Sequence, residues 1–272
     1  MIPPFRSLLV GLTLVLLGGC KRTPVTGRAQ LNVLPDGVML PLGKRTYTDM
    51  LSGQRLDKGG TDHTKLKSVG GRIARVANQP KYKWRFSMIK DKKTMNAWCL
   101  PGGKIAFYSG ILPVLKNEAG MAFVMGHEVA HATARHGAER LTSQLALLGG
   151  LTALGLWIDN KSDMTKKQRN AVVGALGVGA QYGVMLPFSR KHEKEADVIG
   201  MMYMARAGYP PAESIEVWNR MKKKAGASPP AFLSTHPSHG KRKENLRDWL
   251  PQARKRYMRN KLSRDTRASI WR

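Results

Sequence analysis

Three residues within one short stretch have the types and the spacing of a catalytic metal site. His127, Glu128 and His131 form the pattern His-Glu-x-x-His within MAFVMGHEVAHATARHG. On a helix the two histidines lie one turn apart on the same face, so both imidazoles can reach one metal ion. Two imidazoles and a third protein ligand leave the open position of a catalytic zinc site, and Glu128 lies beside it as a general base for the attacking water. The pattern therefore predicts hydrolysis with one Zn2+ ion per chain.

The neighbours of this pattern favour a buried helix over a surface helix that carries two incidental histidines. Ala122, Met125 and Val129 recur at helical spacing and supply an apolar stripe. His136 follows nine residues after His127, on the opposite side of a continuous helix. We therefore do not expect His136 to bind the metal.

A second stretch, SRKHEKEADVIGMMYMARAG, places two carboxylates on one apolar helical face. Glu193 and Asp197 are four residues apart, and burying both is unfavourable unless a cation or hydrogen-bond donors compensate. We expect Glu193 to be the third zinc ligand and Asp197 to accept a hydrogen bond from a ligand imidazole. A surface salt bridge of Glu193 with a basic neighbour is the alternative. We expect Glu195 to be solvated and His192 to lie on the surface.

Two apolar runs precede the metal-binding helix, and Pro101, Gly102 and Gly103 separate them. The first run begins at Asn96 and Ala97 and is expected to end at a sheet edge or a turn, because proline cannot donate a hydrogen bond to a neighbouring strand. An edge strand here could pair with an extended substrate peptide and present its carbonyl to the zinc. An ordinary hairpin in a small sheet fits the pattern equally well.

Hydrophobic periodicity predicts three further elements around these motifs. An amphipathic helix is expected from about Asp62 to Asn78, packed on the metal-binding helix. Trp84, Phe86 and Met88 alternate with polar residues and predict a half-buried strand. Residues 141–188 contain two charge-free, glycine-containing segments around a polar turn and predict an apolar helical hairpin, which could be a core hairpin, a membrane-facing flap or a spanning pair.

The start of the chain predicts export and lipid attachment. Residues 1–19 contain one basic residue and an uncharged run ending in LGG, so they resemble a lipoprotein signal peptide, and Cys20 would become the lipidated first residue. A signal anchor with a chance cysteine is the alternative. Prolines and glycines recur through residues 20–45, which we expect to form a lipid-anchored tether without long elements. Residues 46–272 are then the expected catalytic domain, with one substantial core.

The charge of the chain is strongly basic, with 46 Lys and Arg residues against 18 Asp and Glu residues and a net charge of +28. The density of basic residues is greatest in the C-terminal segment 241–272. Nucleic acid is the partner that such a balance first suggests, but the predicted export signal argues against it. Anionic lipid headgroups or other anionic envelope components are the expected contacts, and a merely solvated basic face is the alternative. With Cys20 lipidated, Cys99 would have no partner for an internal disulfide.

The order of these motifs resembles that of a known family of peptidases. HEVAH is followed by SRKHEKEAD and AGYPP, and PVTGRAQL, NAWCLPGG and STHPSHGKR agree as well. Together they resemble the zinc metallopeptidases of the CAAX-prenyl-protease and HtpX type, and more closely their bacterial lipoprotein branch, that of the beta-barrel assembly-enhancing proteases. The resemblance implies an α+β, mostly α, zincin-like fold with a metal-binding helix, a small antiparallel sheet and the apolar hairpin. We expect the repeat domain of that branch to be missing, because about 30 residues follow Arg242.

The resemblance also implies roles for individual residues. His127, His131 and Glu193 correspond to the zinc ligands and Glu128 to the general base, with Asp197 orienting a ligand. In the C-terminal motif STHPSHGKR, two residues match functional positions of the family, namely His236, a histidine that gates the metal or contacts the reacting centre, and Arg242, an arginine of the same segment.

These observations predict a lipid-anchored zinc endopeptidase of the bacterial cell envelope, at the periplasmic face of the outer membrane. Its expected substrates are unfolded or misassembled envelope polypeptides, and it would contact the membrane through lipidated Cys20 and the basic face. The alternative is a non-catalytic envelope scaffold or chaperone with a latent zinc site that binds anionic envelope components. An intact Glu128 counts against this alternative, and nucleic acid is not expected as a partner.

Overall fold

The computed structural model describes residues 20–146, 189–224, 230–236 and 241–270. The described strands are β1 Cys20–Arg22, β2 Ala29–Leu31, β3 Leu56–Asp57, β4 Arg85–Ile89, β5 Ala97–Leu100 and β6 Lys104–Tyr108. The described helices are α1 Asp36–Leu51, α2 Thr61–Ala77, α3 Leu112–Leu115, α4 Glu118–Thr133, α5 136–146, α6 Arg190–Arg206, α7 Glu213–Lys224, α8 Ala231–Thr235 and α9 Lys241–Ile270. The predicted α+β, mostly helical fold is confirmed.

The main sheet has four strands in the order β3, β4, β6, β5. We expected an antiparallel sheet, but β4 and β6 pair in parallel, with Phe86 opposite Ile105. The reason is the tight turn after Leu100, which folds β6 back between β4 and β5, so that β5 becomes an outer edge. Both turn glycines have positive φ angles, +82° at Gly102 and +73° at Gly103, and a Cβ on Gly103 would lie 2.5 Å from the Trp84 ring. These contacts explain the glycine pair.

Helix α4 lies at the centre of the core, and α2, α6 and β5 all pack on it. Its start is capped by Asn117, whose side chain accepts a hydrogen bond of 2.8 Å from the backbone N–H of Gly120. Where α4 meets α6, a Cβ on Gly126 would lie 2.7 Å from the carbonyl oxygen of Gly200. The two backbones are therefore in direct contact, which brings the His-Glu-x-x-His motif against the helix that carries Glu193.

The predicted amphipathic helix and half-buried strand are both present, as α2 and β4. Helix α2 buries Leu66, Val69 and Ile73, and it packs on α4 on one side and on β4 on another. Helix α9, the basic C-terminal segment, packs on α6. Among the described residues, no helix combines the length and the apolar character needed to cross a membrane.

The predicted tether is not free of regular structure. Strands β1 and β2 pair antiparallel, with Arg22 opposite Ala29, and helix α1 begins at Asp36. Helix α1 contains Pro41, and its Gly43 lies directly against the backbone carbonyl of Pro101 in the β5–β6 turn. Gly43 thus permits close packing of a helix on a turn. The predicted signal peptide and most of the predicted apolar hairpin, residues 147–188, lie outside the described residues.

Candidate metal centre

Four buried side chains bring one donor atom each to a common point between α4, α6 and α8. They are His127, His131, Glu193 and His236, and their donor atoms all lie within 4.8 Å of one another. The Nε2 atoms of the two α4 histidines are 3.1 Å apart, and each lies 3.4 Å from an oxygen of Glu193. Ligand atoms around tetrahedral zinc, at bond lengths of about 2.0–2.1 Å, are separated by about 3.3 Å. The donor set therefore fits a zinc ion in both chemistry and spacing.

Glu193 does not form the surface salt bridge that we considered as the alternative. Its side chain is fully buried, and Arg242 Nη1 lies 2.8 Å from its Oε2. Burial alone would raise the pKa of Glu193, but the surrounding histidines, among them His236 and His131, hold that pKa well below its usual range. A carboxylate kept ionised in the core is a suitable ligand for a cation.

Glu128 lies beside the donor atoms and outside their shared cluster, as its place in the motif predicts. Its Oε1 is 3.3 Å from His236 Nε2, and both side chains are buried. Burial raises the pKa of Glu128 to about 7, and the charge of Glu193 contributes to the rise. A carboxyl group with this pKa can both accept and return a proton near neutral pH.

Asp197 and Arg242 each contact one of the predicted ligands, His127 and Glu193 respectively. The Oδ1 of Asp197 lies 3.0 Å from Nδ1 of His127, although the ring N–H is not directed squarely at this oxygen. Arg242 Nε and Nη2 donate to the two oxygens of Asp197 at 2.6 and 2.7 Å, and its guanidinium lies 3.9 Å from the centre of the Trp218 ring. Both residues therefore lie next to the predicted ligands, and the role of Asp197 in orienting His127 stays a prediction.

The predicted edge strand lies close to this centre. Tyr108 N donates to Asn96 O, so the backbone N–H groups of Ala97 and Cys99 point away from β6, and that of Ala97 donates to Asn96 Oδ1 at 2.9 Å. The backbone of Cys99 hydrogen-bonds to Glu128. A small cavity borders this edge, and it is lined in part by Cys99, Pro101 and His131.

Two predictions about this region were wrong. Glu195 is buried rather than solvated, and it accepts hydrogen bonds from Thr23 and Arg28, each at 2.7 Å. His192 is also buried rather than on the surface, and its Nε2 lies 3.1 Å from Glu139 Oε2. Their partners are more than 50 residues distant in the chain, so no local pattern indicated them.

His136 contacts the predicted ligand His131, which the geometry of a continuous helix did not predict. It is not among the clustered donor atoms, as predicted, but its Nδ1 lies 3.0 Å from Nδ1 of His131. Helix α4 ends at Thr133, and Arg135 adopts a positive φ of 56°, which redirects the chain. Because the helix is not continuous, His136 folds back onto His131.

Comparison with known proteins agrees with this arrangement. The model of peptidase family M48 matches residues 61–250. The chain belongs to peptidase family M48. This M48 protein is therefore a metalloendopeptidase whose cofactor is zinc, and the prediction of a zinc metalloendopeptidase is confirmed.

Relatives of this M48 peptidase come from mitochondria and from bacteria. It is 33% identical to mitochondrial metalloendopeptidase OMA1 of Schizosaccharomyces pombe, over 92% of this chain and 72% of the relative. It is 32% identical to the Saccharomyces cerevisiae OMA1, over 92% of this chain and 76% of the relative. The beta-barrel assembly-enhancing protease of Escherichia coli is 30% identical over 70% of this chain and 39% of its own length. The comparisons thus support the predicted zinc metallopeptidase family. They do not single out its bacterial lipoprotein branch, because the mitochondrial relatives match more of the chain.

Proposed function

We propose that this metalloendopeptidase degrades misfolded or misassembled proteins of the bacterial cell envelope. The observation that carries this proposal is the position of the edge strand β5 directly beside Glu128. Strand addition at such an edge recognises the backbone of an extended peptide and depends little on its side chains. Unfolded segments of many sequences satisfy this requirement, whereas folded proteins already use their backbone hydrogen bonds internally.

The proposed roles of the residues follow from their positions. His127, His131 and Glu193 would hold the zinc ion, which when bound polarises the scissile carbonyl and makes water more acidic. Glu128 takes the proton from the attacking water and returns it to the leaving amine. Asp197 and Arg242 orient the ligands, and the backbone of Ala97 and Cys99 aligns the peptide.

His236 is proposed to gate this centre. Its Nδ1 lies 3.2 Å from Nε2 of His127 and 3.1 Å from Oε1 of Glu193, so it stands where a fourth ligand would stand. A histidine in that position competes with water and substrate for the metal. Its movement would therefore switch the peptidase on. The alternative role, donation to the oxyanion of the reacting carbonyl, predicts the opposite effect of removing the side chain.

The experiment that tests proteolysis compares casein with a compact folded protein as substrates of the purified mature chain. We expect casein to be cleaved, the folded protein to resist, and a chelator to abolish cleavage. Glu128→Gln should keep zinc and lose roughly 100-fold or more of the rate, because an amide cannot accept the proton. His131→Ala and Glu193→Ala should lose zinc as well. Loss of zinc from Glu128→Gln would contradict the role given to Glu128.

The proposed location is the periplasmic face of the outer membrane, with Cys20 carrying the lipid. The export signal predicted from the sequence supports this proposal, as does the beta-barrel assembly-enhancing name of the bacterial relatives. Since β1 begins at Cys20 and the β1–β2 hairpin packs on the domain through Arg28 and Glu195, a lipid there would hold the catalytic domain close to the bilayer. Cys20→Ser should abolish lipidation and move the protein out of the membrane fraction. Unchanged membrane association of the signal-free protein would instead assign anchoring to another part of the chain, such as the basic segment 241–272.

A further inference from the structure

A line of buried polar contacts leads away from the metal centre through His131. It begins at His131, whose Nδ1 lies 3.0 Å from Nδ1 of His136. It continues from His136 Nε2 to Oε2 of Glu195, also at 3.0 Å. All three side chains are buried. His131 lies on helix α4 and His136 at the start of α5, whereas Glu195 lies on helix α6.

With a metal ion on Nε2 of His131, these contacts fit one arrangement of protons. The Nε2 of His131 faces the other donor atoms, so a neutral ring that binds metal there carries its proton on Nδ1. This N–H donates to Nδ1 of His136, which must therefore be the acceptor. The proton of His136 is then on Nε2 and is donated to the carboxylate of Glu195.

The far end of this line is held by the β1–β2 hairpin. Thr23 Oγ1 donates to Glu195 Oε1 at 2.7 Å, Thr26 donates to the same oxygen, and Arg28 Nε donates to Oε2 at 2.7 Å. Gln30 Nε2 from strand β2 also donates to the carbonyl oxygen of Ala134 at 2.8 Å, next to the break between α4 and α5. The hairpin thus fixes both the carboxylate and the chain segment that carries His136.

We propose that Glu195 and His136 are positioning residues for the zinc ligand His131, and that the β1–β2 hairpin completes the site by holding Glu195. The carboxylate fixes the ring of His136, and that ring fixes the tautomer and the orientation of His131. The N-terminal segment of the mature chain is therefore part of the metal centre. This inference rests on zinc binding by the metallopeptidase and is independent of the envelope substrate.

The test compares two isosteric changes in the same cluster of charges, Glu195→Gln and Glu139→Gln. Glu139 accepts hydrogen bonds from Arg28 at 2.8 and 2.7 Å and lies 3.1 Å from His192 Nε2, whereas the carboxylate in contact with His136 Nε2 is that of Glu195. We expect Glu195→Gln to weaken zinc binding by about 10–100-fold in competition with a chelator, and Glu139→Gln to stay within about twofold of wild type. In the cobalt-substituted protein, the visible absorption bands should change in Glu195→Gln alone.

A second variant separates orientation of His131 from general stability. His136→Phe keeps an aromatic ring in place but accepts no hydrogen bond, so it should reproduce the weaker zinc binding and the altered cobalt spectrum. Thermal unfolding with excess chelator reports how much each change destabilises the metal-free protein. Equal zinc affinities and equal cobalt spectra for Glu195→Gln and Glu139→Gln, or wild-type zinc affinity in His136→Phe, would overturn the proposal. Wild-type protein that binds no zinc would instead contradict the metal site itself.

Discussion

Arg242 holds both oxygens of Asp197 in a fully buried pair, with Nε and Nη2 at 2.6 and 2.7 Å from them. The same guanidinium lies 2.8 Å from Glu193 and 3.4 Å from the carbonyl oxygen of His236. One arginine from α9 therefore neutralises two carboxylates of α6 and contacts the segment that carries the proposed gate.

Removing this arginine should be among the most damaging single changes in the chain. Arg242→Met leaves two buried carboxylates without their cation, which typically costs about 3–5 kcal/mol of unfolding free energy. Arg242→Lys should recover only part of the loss, because an ammonium group cannot donate to both oxygens of Asp197 in the fork geometry. Urea unfolding of the two variants and wild type measures these differences. A fully stable Arg242→Met variant with normal zinc content would show that the pair contributes little.

The gating proposal predicts a gain of activity on removal of His236. If the imidazole occupies the fourth ligand position at rest, His236→Ala should raise basal casein turnover and self-cleavage while keeping zinc, because three ligands remain. Zinc content and turnover are measured side by side with wild type. A rate lower by about 100-fold at full zinc occupancy would assign His236 to stabilisation of the oxyanion and end the gating proposal.

Strand addition predicts a two-residue periodicity in substrate recognition. The backbone groups of Ala97 and Cys99 point away from β6, so alternate amides of a bound peptide would pair with them in place of their present partners, Asn96 Oδ1 and Glu128. In a set of peptides N-methylated at one position each, methylation at alternate positions should raise KM strongly, and methylation at the positions between should have little effect. The unmethylated peptide is the control. An effect that does not alternate along the peptide would exclude pairing with β5.

The ion pairs of Glu139 predict a specific pH dependence of stability. Partial burial opposes ionisation of Glu139, but hydrogen bonds from His192 and Arg28 lower its pKa to about 2, against 4.5 for the unperturbed group. A carboxylate whose pKa falls on folding stabilises the folded state above its unfolded pKa and loses this contribution as the pH falls through the folded pKa. Glu139→Gln should therefore cost about 1 kcal/mol at pH 7, allowing for solvent screening, and progressively less between about pH 4.5 and pH 2.

This dependence is measured by urea unfolding of Glu139→Gln and wild type across the acid range. The difference between the two proteins at each pH cancels the effects of zinc release that both share. Glu244→Gln, a change at an exposed position of α9, is the matched control and should differ little from wild type throughout. A difference for Glu139→Gln that does not change with pH would show that its stabilisation is not electrostatic.

The ligands on the two helices were predictable because their relationship is local. His127 and His131 are one helical turn apart, and so are Glu193 and Asp197, so the 3.6-residue period alone places each pair on one face. The cost of burying two carboxylates then indicated a cation nearby. The same local periodicity predicted α2 and β4, and the proline and glycines after Leu100 predicted the turn that leaves β5 at an edge.

Tertiary structure alone decided how these pieces meet. The approach of α4 to α6 depends on Gly126 and Gly200, which are 74 residues apart, and the burial of Glu195 depends on Thr23 and Arg28, more than 160 residues earlier. The position of β6 between β4 and β5 and the return of His136 onto His131 likewise result from changes of chain direction. Helical and strand periods describe only neighbours along the chain, so they carry no information about contacts that form when distant segments pack. The sequence by itself therefore determined the zinc chemistry, and only packing decided which residues surround and orient the metal ligands.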